Sequence, residues 1–321
     1  MTSTSASTAI FSSSAAFPLC CWNCGALLGL IDSRSALCGR CGTVSLKQDE
    51  VWHALSPRLA QAFEHFIEDY ESIRLAEARG SSDPAYYLAL PYTDITGKLS
   101  SQWNIRASTY RYIETNILSR MTKRPMRILD LGAGNGWMSY RLSLLGHHPV
   151  AVDILTNNRD GLRAAGYYAA HLPVMFPRVQ ASLDHLPFPE AAFDLAIFNA
   201  SFHYSENYTK TLAEALRCVR PGGTIIIADT PWYRHEASGL AMVEEKHAHF
   251  RSTYGFASDA LASQEFFTPA RLNHLASTLN LRWKTYKPFY GMQWALRPLR
   301  AKLQGRRTPS QFRIFTAEVP A

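Results

Sequence analysis

Two groups of residues in this chain have types and spacings suited to chemistry. Cys21-Trp22-Asn23-Cys24-Gly25 and Cys38-Gly39-Arg40-Cys41-Gly42 form C-x2-C-x13-C-x2-C, two knuckles that set four thiolates tetrahedrally around one zinc ion. A glycine relieves the turn after each pair. All four positions are thiolates, so no coordination site is left open and the zinc is expected to be structural. Cys20 is a neighbouring thiol, but the CxxC spacing favours Cys21, and Cys218 reads as a buried helix residue. No βαβ pattern surrounds either pair, which argues against a redox dithiol.

The second group is a glycine loop, Asp130-Leu131-Gly132-Ala133-Gly134-Asn135-Gly136-Trp137, which follows a short apolar strand and opens a helix. Glycines there let the backbone approach a ligand at the carboxyl end of a strand, the place where open α/β sheets bind cofactors. The next strand ends in Asp153, about 20 residues on, where a carboxylate accepts both hydroxyls of a ribose. The spacing is GxGxG, not GxGxxG, and bulky Trp137 follows at once, so a nucleoside without a pyrophosphate is expected. A further loop, Asn199-Ala200-Ser201-Phe202-His203-Tyr204, offers His203 as a general base, with packing or helix capping as its plainer reading. Trp137, Phe202, Tyr204, Trp232 and Tyr233 lie in the same loops, ready to face a flat or cationic ligand or to serve as core.

These residues need elements to hold them. After Pro125 strand and helix alternate: MRILDL, a helix from about 136 to 145, PVAVDI, a helix over 158–165, RVQAS, FDLAIFN, a helix over 206–219, TIIIAD, a helix over 268–279, LRWKTYK and QFRIFTAEV. That pattern predicts a mostly parallel sheet covered on both faces, ending in an antiparallel pair with no helix between its strands. Upstream, Ser56 and Pro57 start a helix carrying Leu59, Phe63, Phe66, Ile67, Tyr70 and Ile73 at helical spacing. A second helix runs from about 101 to 120. Between them SSDPAYYLALPYTDITG is long for a connection and reads as a lid.

The chain has 321 residues, 47% hydrophobic and 18% charged, which excludes a disordered or fibrous protein. No apolar run is long enough to span a membrane. With no disulfide framework and two metal-type pairs, a reducing, cytoplasmic setting is expected. The net charge of +7 is local: from Leu281 onward nine Lys or Arg face a single acid, Glu318. Such a patch attracts phosphates or an anionic membrane surface, or merely keeps a surface solvated. The expected divisions are a disordered tail over 1–17, a zinc ribbon over 18–50 that forms a small domain of its own, a helical lid and linker over 51–124, and a catalytic α/β domain over 125–321.

From about Arg127 to Val319 the chain resembles the class I S-adenosylmethionine-dependent methyltransferases, in the branch that acts on small molecules. ILDLGAGNG is similar to the family's first motif, VAVDI to its acid motif, SLDHLPFPEAAFDLAIFNASFHY to the adenine-side loop and fourth strand, and LRCVRPGGTIIIAD to the helix, turn and fifth strand. The resemblance implies a doubly wound, seven-stranded, Rossmann-like fold behind the ribbon, and S-adenosylmethionine as methyl donor. It implies a cofactor side made of Asp130, Gly132, Ala133, Gly134, Asn135, Gly136, Asp153, Ser182, Leu183 and Asn199, with the glycines wrapping the methionine moiety, Asp153 on the ribose and Leu183 at the adenine. Ser182 stands where the family usually has an acid. NASF is not the Asn-Pro-Pro-aromatic pattern of nucleobase amine methylation. Methyl transfer is an in-line displacement that needs chiefly positioning, so His203 is the residue left to take a proton from a small-molecule acceptor.

The ribbon ahead of such a core is also similar to that of bacterial ribosomal RNA guanine-N1 methyltransferases, which makes RNA the runner-up partner. Yet residues 18–48 hold only Arg34, Arg40 and Lys47 against Asp32. A non-catalytic S-adenosylmethionine-binding module is the third reading. Gly291 to Arg307 is expected to pack over the acceptor pocket and bind a small or lipid-like anion, with peripheral membrane contact or RNA as the other uses of its charge. The oligomeric state and the acceptor stay open.

Overall fold

The structure is a computed structural model that describes residues 17–320. The tail expected over 1–17 therefore lies, Phe17 excepted, outside the described residues. Four short strands come first, β1 (Gly29–Leu30), β2 (Ser35–Leu37), β3 (Val44–Gln48) and β4 (Val51–His53), followed by helices α1 (Pro57–Ala76), α2 (Pro84–Ala89) and α3 (Ser100–Asn116). The alternating part holds β5 (Arg127–Leu131), α4 (Trp137–Leu144), β6 (His148–Asp153), β7 (Arg178–Gln180), β8 (Phe193–Asn199), α5 (Tyr208–Cys218), β9 (Val219–Ala228), α6 (Glu236–Tyr254) and α7 (Pro269–Thr278). It closes with β10 (Lys284–Tyr286), α8 (Met292–Ala295), α9 (Arg297–Leu303) and β11 (Ile314–Glu318).

One sheet runs in the order β1-β2-β3-β4-β7-β6-β5-β8-β9-β11-β10. Its seven strands from β7 to β10 are the expected doubly wound core, with β11 antiparallel to both β9 and β10. The central strands are apolar on both faces, as strands covered on both sides must be. Leu129, Val150 and Ile225 join a core cluster on one face, and Ile128, Leu195 and Ile226 join a second cluster that includes Trp103, Tyr110 and Trp137. Local capping sets the helix starts. Ser56 Oγ accepts the Leu59 N–H at α1, Asn207 Oδ1 that of Lys210 at α5, and Thr268 Oγ1 that of Arg271 at α7.

Several expectations need correction. β4 pairs parallel with β7, and the ribbon strands continue the sheet through β3, so the sheet runs across the division expected at residue 50. Trp52 and Ala54 join the same apolar cluster as Leu19 and Ala36, which is what couples the two parts. The helix expected over 158–165 is a later 3-10 segment, Leu162–His171, because Asn157 Oδ1 accepts the N–H groups of Arg159, Asp160 and Gly161 and holds a turn there. The Tyr- and Pro-rich stretch is no lid. It forms α2, buries Tyr86 and Tyr87, and lets Arg141 bind the carbonyls of Leu88 and Leu90. The final two strands are separated by α8 and α9 after all. α6 carries no apolar stripe, only Gly239 being buried, which is why its sequence gave no helical signal.

Candidate active site

The glycine loop takes the left-handed backbone its sequence requires. Gly132 has φ 74°, and a Cβ there would fall 2.2 Å from the Ser201 Cβ. Gly136, also at φ 74°, opens α4 and packs under Ala165 and Phe176. The N–H groups of Gly132 and Ala133 donate to the Val152 carbonyl at 2.8 and 3.0 Å, which fastens the loop to β6. Asp153 at the end of β6 accepts the Gly134 N–H on Oδ2 at 2.7 Å and the Leu155 N–H on Oδ1 at 2.9 Å. Burial pushes its carboxyl up to about 6 against these hydrogen bonds.

A cavity opens over this loop. Gly132, Ala133, Gly134, Asn135, Asp153, Ser182, Leu183 and Asn199 line it. Asp130 and Gly136 do not. Asp130 instead accepts the Ser139 N–H and hydroxyl at 3.1 and 2.7 Å, and burial raises its carboxyl to about 7, so it ties β5 to α4 behind the loop. Asn135 Oδ1 accepts the Trp137 N–H, and Asn199 Oδ1 is buried without a partner. Ser182 Oγ accepts the Asp184 N–H at 3.2 Å, and the loop it starts brings Leu183 and Asp184 to the cavity wall.

A second cavity of about 330 Å³ adjoins the first. Phe66, Tyr70, Arg74, Arg106, Ala200 and Tyr204 line both, so the two share a seam. His203 lines only the second. Its Nδ1 is buried without a partner, and burial holds the imidazole down at about 4. Asp229, the residue after β9, also faces this cavity: Oδ1 accepts the Thr109 hydroxyl at 2.6 Å, while Oδ2 is buried and unpartnered. Burial raises this carboxyl to about 6. Ala200 and Asp229 hold φ of 55° and 52°, a left-handed conformation rare without glycine and frequent at functional sites.

Sequence reasoning missed most of the seam. Phe63, Phe66 and Tyr70 belong to the apolar stripe of α1, which covers the cavities instead of the main core. Arg106 on α3 carried no sequence signal beyond its charge; its guanidinium lies 5.0 Å over the Trp103 ring. Asp229 was legible in one respect, as an acid at the carboxyl end of a central strand.

The four ribbon cysteines converge, their Sγ atoms all within 4.8 Å of one another. Cys21 and Cys41 Sγ are 3.6 Å apart and Cys24 and Cys38 Sγ 3.4 Å. Tetrahedral zinc with Zn–S of about 2.3 Å sets its thiolates about 3.8 Å apart, so the residues fit the ion. The ribbon rests on the loop after β7: the Cys20 N–H donates to the Pro187 carbonyl at 2.8 Å, and His185 Nε2 lies 3.1 Å from the Trp22 carbonyl.

Residues 129–227 match the family described as methyltransferase domain. Among similar proteins, the malonyl-[acyl-carrier protein] O-methyltransferase of Erwinia billingiae is 26% identical over 133 residues, which cover 41% of this chain and 50% of that one. The demethylmenaquinone methyltransferase of Thermus thermophilus is 32% identical over 126 residues, 37% of this chain and 54% of that one. The chain thus spans about half the length of the relatives it matches. Among solved structures, the YcgJ protein of Bacillus subtilis aligns with 67% of this chain and 99% of its own at 15% identity and a TM-score of 0.47. No helix among the described residues is long and apolar enough to cross a membrane. The matched residues, which hold the glycine loop, Asp153 and the loop after β7, thus form a methyltransferase domain.

Proposed function

We propose that this chain transfers a methyl group from S-adenosylmethionine to a small-molecule acceptor seated in the second cavity. The observation that carries the reading is the pair of adjacent cavities, one built on the glycine loop and Asp153, the other lined by His203 and Asp229, whose Nδ1 and Oδ2 are buried without a partner. Bound in the first cavity, the cofactor supplies an electrophilic methyl on a sulfonium. Asp153 has acceptor capacity beyond its two backbone bonds for the ribose hydroxyls, Leu183 offers backbone groups to the adenine, and Ser182 contributes a hydroxyl there. Asp130 and Gly136 serve the cofactor indirectly, by shaping the loop. Tyr70 and Tyr204, in edge contact at 5.8 Å, give the seam an aromatic wall that keeps water from the transfer.

His203 is the proton-handling residue of this reading. Held neutral at pH 7, the imidazole is able to take a proton from the hydroxyl or amine of an acceptor in the second cavity. A small acceptor group agrees with the names of the relatives, which act on demethylmenaquinone and on a malonyl group carried by a protein. Neither RNA nor a purely non-catalytic role is favoured beside them. Cys21, Cys24, Cys38 and Cys41 would hold a structural zinc that staples the ribbon. Calorimetry on the full chain tests the cofactor half: S-adenosylhomocysteine should bind at one site, and absence of binding would defeat the reading.

A further inference from the structure

The stretch between β10 and β11 takes no part in the site described. None of residues 291–307 lines either joined cavity, contrary to the expectation that this segment covers the acceptor. Along α8 and α9, Met292, Leu296, Leu299 and Leu303 recur at helical spacing on one face. They are 65%, 38%, 55% and 79% exposed, and Phe289 just before them is 69% exposed. Nothing among the described residues covers this stripe, and contiguous apolar exposure of this kind marks an interaction surface.

The surroundings of the stripe identify its partner. Between Glu265 and Glu318 the chain holds no acidic residue. Arg307 pairs with Glu245 at 2.6 Å, but Arg300, Lys302 and Arg306 make no ion pair among the described residues. The segment is fixed from behind, with Trp294 stacked on Phe312 at 5.3 Å and the Tyr290 hydroxyl 2.9 Å from Thr109 Oγ1. Apolar side chains and unpaired cations are thus presented together on a firmly rooted surface. Phosphates of a nucleic acid would engage the cations and leave the leucines in water. A bilayer with anionic headgroups satisfies both at once, the apolar face entering the headgroup and acyl boundary while the cations meet lipid phosphates.

We propose that α8 and α9 form an interfacial anchor that docks this chain on an anionic membrane surface. The contact is peripheral and reversible, since the two helices are far too short to span. It does not depend on the methyl-transfer reading. Cosedimentation of the full chain with phosphatidylcholine vesicles, with and without about one third phosphatidylglycerol, tests it. Binding should be about tenfold or more stronger to the anionic vesicles and should weaken with salt. Leu299→Ser with Leu303→Ser, and separately Arg300→Glu with Lys302→Glu, should each lower it about tenfold or more. These side chains are exposed, so both variants should keep the wild-type melting temperature and S-adenosylhomocysteine affinity. The proposal fails if the wild type stays in the supernatant, or if the leucine variant binds like the wild type. A dimer lost in the leucine variant, or tight binding of an RNA oligonucleotide lost in the charge variant, would overturn it by giving the face another occupant.

Discussion

Asp153 and Asp130 brace the same loop from the ends of adjacent strands and do different work. Asp153 braces Gly134 and faces the cavity, so Asp153→Ala should weaken S-adenosylhomocysteine binding by roughly 1.5–3 kcal/mol, the usual loss for charge-assisted hydrogen bonds, measurable by calorimetry. Burial raises Asp130 to about 7 and Asp153 and Asp229 to about 6, all from 3.8. The folded ligand-free chain therefore holds these protons more tightly than the unfolded chain. Their contribution to stability is complete below about pH 4 and is lost as pH rises through 6 to 7. Urea unfolding should show the ligand-free chain roughly 1–3 kcal/mol more stable at pH 5.5 than at pH 8, and Asp130→Asn should flatten that slope. For His203, burial holds the imidazole at about 4, so its protonation should leave turnover unchanged between pH 6 and 8. His203→Gln should cut turnover about a hundredfold or more with cofactor affinity unchanged; full turnover in the variant would remove His203 from the proton step.

At the scale of elements, the ribbon and the loop after β7 behave as neighbours. Cys20 and Trp22 bind the loop backbone at Pro187 and the His185 ring, and the Phe17 and Phe188 rings lie 6.2 Å apart. Cys24→Ser should lose the zinc by elemental analysis and unfold the ribbon, and hydrogen exchange should then quicken in residues 182–188 as well as in 19–48. Exchange confined to the ribbon would show that the loop stands without it. The central strands were legible because ILDL and FDLAIFN are apolar runs bounded by turn residues, and the glycine loop because only glycine fits Gly132 and Gly136. The second cavity was not, because its wall is assembled from α1, α3 and the ends of β8 and β9, and no local pattern records that Arg106, His203 and Asp229 meet there. The Tyr-rich stretch was misread because its aromatic residues serve packing, Tyr87 stacking on Tyr167 at 4.6 Å.

Across the whole molecule the sheet is continuous from the cysteine ribbon at one edge to β10 at the other, and both cavities open beside the carboxyl ends of its parallel strands. The basic, leucine-bearing helices follow β10 at the other edge of the sheet, where the local positive charge of the C-terminal stretch is gathered. The central claim is that the joined cavities bring a methyl donor and a small acceptor together. Incubating the full chain with isotope-labelled S-adenosylmethionine and a cell extract separated into small molecules, RNA and protein, then following the label by mass spectrometry, measures this directly. S-adenosylhomocysteine should form together with label on a small molecule, both falling about a hundredfold or more in His203→Gln. Label in RNA or on a protein side chain, or no transfer to any fraction by a chain that binds the cofactor, would contradict the claim.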